Sequence, residues 1–191
     1  MSDNSTFALL DPEFFVPFGQ KTPGPEYQAL VAGLNAAGWR VQRGGVWTHV
    51  VPPGWQPQTQ GWKLHLSATP AHAPEVLQRT ARVLEVDPAA FKFASDPVVH
   101  LVMNSKNWPR EGSGKFITIY PVDDDQFRRL ATALAAATEG LQGPYILSDR
   151  RVPGSRTVFY RYGEHSAAEA VDARGQRVQQ IVSPSGEAAP D

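Results

Sequence analysis

The sequence predicts an α+β fold: a single compact domain in which a mostly antiparallel, twisted sheet is flanked by helices. Short runs rich in β-branched and aromatic residues are separated by Gly- and Pro-containing turns, as in hairpins. Two longer segments, 74–86 and 123–140, have the apolar spacing of amphipathic helices. Strands and helices are interspersed without the regular β-α-β order that favours a parallel sheet.

The elements can be followed in chain order. Residues 1–24 predict an irregular arm rich in Pro and Phe. A first helix is expected from Pro25 to the stop signal Gly38. The runs "WRVQ" and "VWTHVV" flank an Arg-Gly-Gly turn as a hairpin. Further strands are predicted at "GWKLHL", "AAFKFAS", "KFITIYPV", "PYILSD" and "TVFYRYG".

The clearest helix follows three consecutive acidic residues, Asp123 to Asp125, and ends at Gly140. Capping and the helix macrodipole explain these carboxylates better than a metal site does. We expect residues 1–171 to form the domain. Residues 172–191, rich in Pro, Gly and Ala, are expected to be a C-terminal tail or an interdomain linker.

Composition excludes several classes of function. The chain has 191 residues, 41% of them hydrophobic and 19% charged, with a formal net charge of −1. This balance predicts no broad surface for nucleic acid or an anionic membrane. Without cysteine the chain has no disulfide, no thiol nucleophile and no Cys-based metal site. No signal peptide or membrane span is predicted, and the expected location is the cytoplasm.

Isolated basic residues within the predicted strands are the candidate functional residues. In "GWKLHLS", Lys63, His65 and Ser67 lie on the face opposite the apolar side chains, because strand side chains alternate. Lys92 stands alone in "FKF" and Arg161 in "YRY". The loop before "KFITIY" and the end of that strand add two more candidates, Arg110 and Tyr120.

If these strands share one sheet face, they assemble four cations, a histidine and a tyrosine with no obligatory carboxylate partner. Unpaired cations on a rigid sheet are costly unless an anion binds, and phosphate suits both Arg and Lys. Taken singly, each residue has a simpler interpretation. A strand cation usually lies on a solvated face, and His65 alone or Tyr120 alone is more often structural. His49 and His72 are assigned structural roles.

Several motifs together carry a family resemblance. They are "DPEFFVP", "GVWTHVVPP", "QGWKLHLSATPAHAPEVL", "FKF", "NSKNWPREGSGKFITIYP", "GPYILSDRR" and "VFYRYG". As a set, covering residues 11–163, they resemble the N-terminal lyase domain of class III and class IV lanthipeptide synthetases. That domain is related to the bacterial effector phosphothreonine lyases.

The resemblance implies β-elimination of phosphate from phosphoserine or phosphothreonine in a precursor peptide, giving dehydroalanine or dehydrobutyrine without a metal or organic cofactor. It implies Lys92 as the base, His65 as the acid, and Tyr120 as a residue that orients or tunes the base. The phosphate ligands it implies are Lys63, Arg110, Arg161 and, in competition with Arg161, Arg150 or Arg151.

The resemblance also implies partners. In that family a kinase and a cyclase domain follow the lyase, so this chain is expected to act with such domains or with separate proteins, on a phosphorylated precursor peptide. Two alternatives stay open. One is a non-catalytic phosphopeptide or precursor-peptide binding module of the same fold. The other is an effector-type phosphothreonine lyase acting on a protein kinase.

Overall fold

The computed structural model describes residues 25–105, 108, 110, 112–165, 170–171, 177–178, 180–182 and 188–190. Four helices lie in this part of the chain: α1 (Pro25–Ala36), α2 (Ala73–Val86), α3 (Pro97–Met103) and α4 (Asp124–Ala137). The main sheet contains β1 (Arg40–Gly44), β2 (Trp47–Val51), β3 (Gln60–Leu66), β4 (Ala90–Ala94), β5 (Ile117–Tyr120), β6 (Arg150–Arg151) and β7 (Val158–Glu164).

The seven strands follow the order β1-β2-β4-β5-β3-β7-β6, and every neighbouring pair is antiparallel. The predicted α+β class with an antiparallel sheet is therefore confirmed. Four short strands lie further along the chain: β8 (Ala170–Val171), β9 (Arg177–Val178), β10 (Gln180–Val182) and β11 (Ala188–Pro190). They pair as β8 with β9 and β10 with β11. The predicted arm 1–24 lies outside the described residues, and the predicted boundary at residue 171 stays a prediction.

One face of the sheet carries the hydrophobic core. Side chains that alternate with the candidate polar residues, such as Leu64, Phe91 and Ile119, are at most 1% exposed. All four helices contribute further side chains to the cluster, and Phe127 of α4 stacks on Trp62 at 4.6 Å between ring centroids. Each such large side chain stabilises the fold by about 1.5–3 kcal/mol through burial. The opposite face is left for polar groups.

The helix ends agree with the sequence signals. The Asp123 carboxylate accepts a hydrogen bond from the backbone N–H of Gln126 at 2.7 Å, and Gly140 has a φ of +81° just past the helix. Asp124 and Asp125 form surface ion pairs with Arg128. The interpretation of the three aspartates as a capped helix start is confirmed.

One predicted strand is wrong. The segment "PYILSD", residues 144–149, is not paired in the sheet, and the edge position is taken by β6, which was not among the predicted strands. The cause is a turn closed by the Asp149 N–H, which donates to the Ile146 carbonyl at 3.2 Å. This turn leaves Tyr145 and Leu147 exposed and directs Asp149 into the protein.

Candidate active site

The strand register places Lys92 and His65 on the same face of the sheet. Lys92 of β4 lies opposite Thr118 of β5, and His65 of β3 lies opposite Thr118 from the other side. Directly opposed residues of antiparallel strands share a face. Two strand spacings therefore separate the Cα atoms of Lys92 and His65, about 10 Å, with the small Thr118 between them. We call this surface, opposite the helices, the site face.

Three more candidates lie on the site face, two residues further along their strands. Lys63 of β3 lies opposite Arg161 of β7. The β3–β5 register, continued by one residue, sets Tyr120 beside Lys63. Lys63 is 8% exposed, whereas Arg161 is half-buried. The structure thus brings together five of the seven predicted site residues on four adjacent strands.

The other two predicted residues lie elsewhere. Arg110 occupies the exposed loop before β5, and its role as a phosphate ligand stays a prediction. Arg150 lies opposite Tyr160, which is on the helix-covered face, so the register points it away from His65. Arg151, its competitor, lies opposite Phe159 and therefore belongs to the site face. The geometry favours Arg151 over Arg150 for any contact on this face.

A buried carboxylate completes the surroundings of His65. Asp149 Oδ2 lies 2.5 Å from His65 Nδ1, and the Asp149 side chain is fully buried. Ser148 Oγ donates to the other oxygen, Oδ1, at 2.8 Å. A carboxylate accepts only, so Nδ1 carries the hydrogen and Nε2 is directed away from Asp149. This arrangement orients the ring and sets its tautomer.

Lys115 forms an ion pair with the Asp149 carboxylate. Its Nζ lies 3.4 Å from Asp149 Oδ1, and the residue is 7% exposed. The hydrogen bond from His65, the charge of Lys115 and the hydrogen bond from Ser148 hold the pKa of Asp149 well below its usual range despite burial. Burial dominates for His65 and lowers its pKa to about 4, although the hydrogen bond that its Nδ1–H donates to Asp149 acts in the opposite direction. His65 is therefore a neutral ring at pH 7 in the free protein.

The expectation of a site without a carboxylate partner is corrected by Asp149. Asp149 and Lys115 are functional candidates that the sequence analysis missed. The available signal was weak: a single Asp before two arginines, placed in a segment that was predicted as a strand. Because His65 and Asp149 are 84 residues apart, no local spacing connects them.

Lys92 lies in surroundings that favour its neutral form. Its pKa is lowered first by burial and then by the charge of Lys115. The ammonium lies 4.6 Å from the centroid of the Trp47 ring, a contact that partly offsets this effect. His49, which was assigned a purely structural role, lies directly opposite Lys92, and its pKa is lowered by burial and by that lysine. The structure therefore adds His49 and Trp47 to the site face.

Tyr120 is suited to donate a hydrogen bond. Burial raises the pKa of its hydroxyl to about 12, so the phenol keeps its proton at neutral pH. The edge of its ring packs against His165 at 5.1 Å between centroids. Gly61 permits this approach, because a Cβ there would lie 2.9 Å from the His165 ring.

We expect the protein to lose stability as the pH falls from 6.5 to 4. Burial lowers the pKa of both His65 and His100 from 6.5 to about 4. In that window the unfolded chain binds more protons than the folded one, so the free energy of unfolding decreases on acidification. Each ring would contribute on the order of 3 kcal/mol if it acted alone. Urea unfolding at pH 7, 5.5 and 4.5 measures the loss, and His100→Gln should reduce its size. A free energy of unfolding that is constant over this range would contradict the expectation.

The described residues contain neither a metal-binding cluster nor a helix that could span a membrane. Within these ranges, no group of three or more His, Asp or Glu side chains is arranged to hold a metal ion. None of the four described helices has the length and apolar character required to cross a bilayer.

The fold is that of phosphothreonine lyases. OspF, the type III effector and phosphothreonine lyase of Shigella flexneri, superposes with a TM-score of 0.54 and 20% sequence identity, covering 83% of this chain and 88% of OspF. The Salmonella plasmid virulence C protein, SpvC, superposes with a TM-score of 0.53 and 18% identity, covering 75% of each chain.

The chain belongs to the RamC N-terminal domain family, whose sequence model matches residues 27–191. A relative, the probable SapB synthase of Streptomyces coelicolor, is 37% identical over 154 residues, which is 81% of this chain. The match covers 16% of that synthase, so this chain spans a small part of its length. The resemblance to lanthipeptide synthetase lyase domains and to effector phosphothreonine lyases is thereby confirmed.

Proposed function

We propose that this domain eliminates phosphate from phosphoserine or phosphothreonine in a peptide. The observation that carries the proposal is the strand register. It sets an amine with a lowered pKa and an oriented imidazole on either side of Thr118, next to two further cations. An acid and a base approaching one bound residue from two sides is what a β-elimination requires.

Lys92 would act as the base. A lysine with its ordinary pKa is charged at neutral pH and cannot accept a proton. Burial and the neighbouring Lys115 both increase the fraction of neutral amine. An arriving phosphate dianion acts in the opposite direction, so the fixed cations around the site must outweigh it.

His65 would act as the acid. In the free protein the ring is neutral, and its Nδ1–H donates to Asp149. A phosphate bound at Nε2 raises the pKa of the ring, because a second anion beside Asp149 favours the imidazolium. The ring therefore takes up a proton from solvent at Nε2 when the substrate binds, and this imidazolium is the acid. An acid and a base whose environments reverse their ordinary order of pKa values is a common catalytic arrangement.

Lys63 and Arg161 would hold the phosphate, with Arg110 contributing from the loop before β5. The guanidinium of Arg161 can bind two phosphate oxygens at once, and Lys63 supplies a compact charge. Tyr120 would donate a hydrogen bond near the base, since its hydroxyl stays protonated. Stabilisation of the leaving phosphate by these fixed charges is expected to be the largest contribution to catalysis.

Apart from the solvent proton that His65 takes up, the step involves only the chain and the substrate. The Cα–H bond breaks and its proton moves to Lys92 Nζ, while the electron pair forms the Cα=Cβ double bond. The Cβ–O bond breaks, and the departing phosphate takes a proton from His65 Nε2. The products are dehydroalanine or dehydrobutyrine and inorganic phosphate. The proposed step thus uses no metal and no organic cofactor.

We further propose that the substrate is a lanthipeptide precursor. The family and the similarity to a probable SapB synthase support a role in modification of such a peptide. A kinase would supply the phosphorylated residue, and a cyclase would consume the dehydrated one. These activities would belong to further domains or to separate proteins.

Mass spectrometry of a phosphoserine peptide incubated with the protein tests the proposal. We expect loss of phosphoric acid and a product that adds a thiol, as dehydroalanine does. Release of phosphate with the serine hydroxyl restored would identify a phosphatase and overturn the proposal. Phosphate-dependent binding without any release would instead support a phosphopeptide-binding module, and reaction with a phosphorylated kinase alone would support an effector-type lyase.

A further inference from the structure

A small cleft opens on the site face beyond His65, at the edge of the sheet. Its volume is about 210 Å³. We call it the edge cleft. It is lined by Gln142, Gly143, Tyr145, Arg151, Arg156 and Phe159.

The edge cleft is connected to the candidate active site by strand pairing and by one close backbone contact. Phe159 lies directly opposite His65, and Arg151 lies opposite Phe159, so the Cα of Arg151 is about 10 Å from that of His65. Gly143 packs against the backbone of Ser67, and a Cβ at this glycine would lie 2.6 Å from the Ser67 carbonyl oxygen. The wall of the cleft is thus held against the strand that carries His65.

The charge of the edge cleft is positive. Arg151 and Arg156 are both exposed, and within the described part of the chain neither has a carboxylate within 4.0 Å. The Arg151 guanidinium lies 5.7 Å from the centroid of the Tyr145 ring, and this ring packs edge-on against Phe159 at 5.1 Å. Arginine stacked on an aromatic ring keeps its planar N–H edge available for a carboxylate.

The distance between His65 and the edge cleft suits two side chains of one bound peptide. In an extended peptide, side chains on one side recur every two residues, about 7 Å apart. A glutamate or aspartate two residues from a phosphoserine bound at His65 would come within reach of the long Arg151 and Arg156 side chains.

We propose that the edge cleft is a subsite for an acidic side chain, Asp or Glu, two residues away from the reacting phosphoresidue. This inference rests on the proposed function, because it assigns the cleft to the substrate of that reaction. The cleft would select phosphorylation sites with an acidic neighbour and would fix the direction of the peptide across strands β3, β7 and β6.

The test compares phosphoserine peptides that carry Glu or Gln two residues before or after the phosphoserine. The quantity measured is the ratio of kcat/KM for the Glu peptide to that for the Gln peptide. We expect a ratio of about 5–10 for the wild type on one side of the phosphoserine, as for a partly exposed charge-assisted contact. The double variant Arg151→Gln/Arg156→Gln should reduce it to about 1. The matched control is Arg82→Gln, an exposed arginine on α2, which should keep the wild-type ratio.

Peptide binding to the Lys92→Ala variant, followed by fluorescence anisotropy, separates the two proposals. Elimination with the same Glu-to-Gln ratio in the wild type and the double variant would overturn the subsite while leaving the lyase. Absence of elimination, with a Glu preference in binding that the two Arg substitutions remove, would overturn the lyase and support the subsite. Absence of both would overturn both.

Discussion

Replacing Lys92 with arginine is expected to lower kcat/KM for phosphate elimination by about 10²–10⁴, the range typical of a lost general base. Arginine keeps the positive charge but does not deprotonate in proteins, so it can bind phosphate and cannot take the α-proton. Lys92→Met, which removes the charge with little change in volume, should be impaired to at least the same extent. Single-turnover mass spectrometry of a phosphoserine peptide measures both variants.

The pH dependence of the wild type gives an independent check on Lys92. Because burial and Lys115 lower the pKa of this amine from 10.5, kcat, which reports the enzyme–substrate complex, should rise with pH as Lys92 becomes neutral below 10.5 and should fall once the bound His65 loses its proton. This rise should be absent from the residual activity of Lys92→Arg. Arginine at this position with more than a tenth of the wild-type activity would show that Lys92 is not the base.

Replacing Asp149 with asparagine should lower kcat by about 10³–10⁴, as expected when a carboxylate that orients a catalytic histidine is lost. The side-chain amide of asparagine can donate to Nδ1, which favours the opposite tautomer of His65. The Nε2 atom would then carry the hydrogen in the free protein, but the ring would lose the anion that stabilises its imidazolium form when phosphate binds. The ¹⁵N chemical shifts of the His65 ring report the tautomer directly, and a purely structural role of Asp149 would leave them unchanged.

Replacing Asp149 with alanine should also destabilise the protein. It leaves the buried Lys115 without this carboxylate and removes the acceptor of the His65 Nδ1–H, and breaking such a buried pair costs about 3–5 kcal/mol. Urea unfolding measures this loss.

Asp123→Asn is the matched control for Asp149→Asn, because asparagine caps a helix about as well as aspartate. Wild-type kinetics in Asp149→Asn would contradict the assigned role of Asp149.

The predictable part of the fold rests on local rules. The stop at Gly38, the cap at Asp123 and the alternation of Lys63 with Leu64 depend on residues a few positions apart. For this reason the helices and most of the strands agree with the sequence. The "PYILSD" segment disagrees because the turn that closes at Asp149 depends on a partner, His65, from a distant strand.

The candidate site likewise has a part that local rules predict and a part that they do not. Strand parity alone places Lys63 and His65 on one side of β3, and Lys92 opposite the phenylalanines of β4. The sequence by itself therefore determined the class of fold, the polar face of each strand and the family. The order of the strands, which brings Lys92 and His65 to either side of Thr118, was decided by the tertiary structure alone.

The buried pairs Asp149–His65 and Asp149–Lys115 were also decided by the tertiary structure. The physical reason is the separation along the chain over which each interaction acts. Backbone geometry acts between neighbours along the chain, whereas burial and charge act between groups that only the packed sheet brings together.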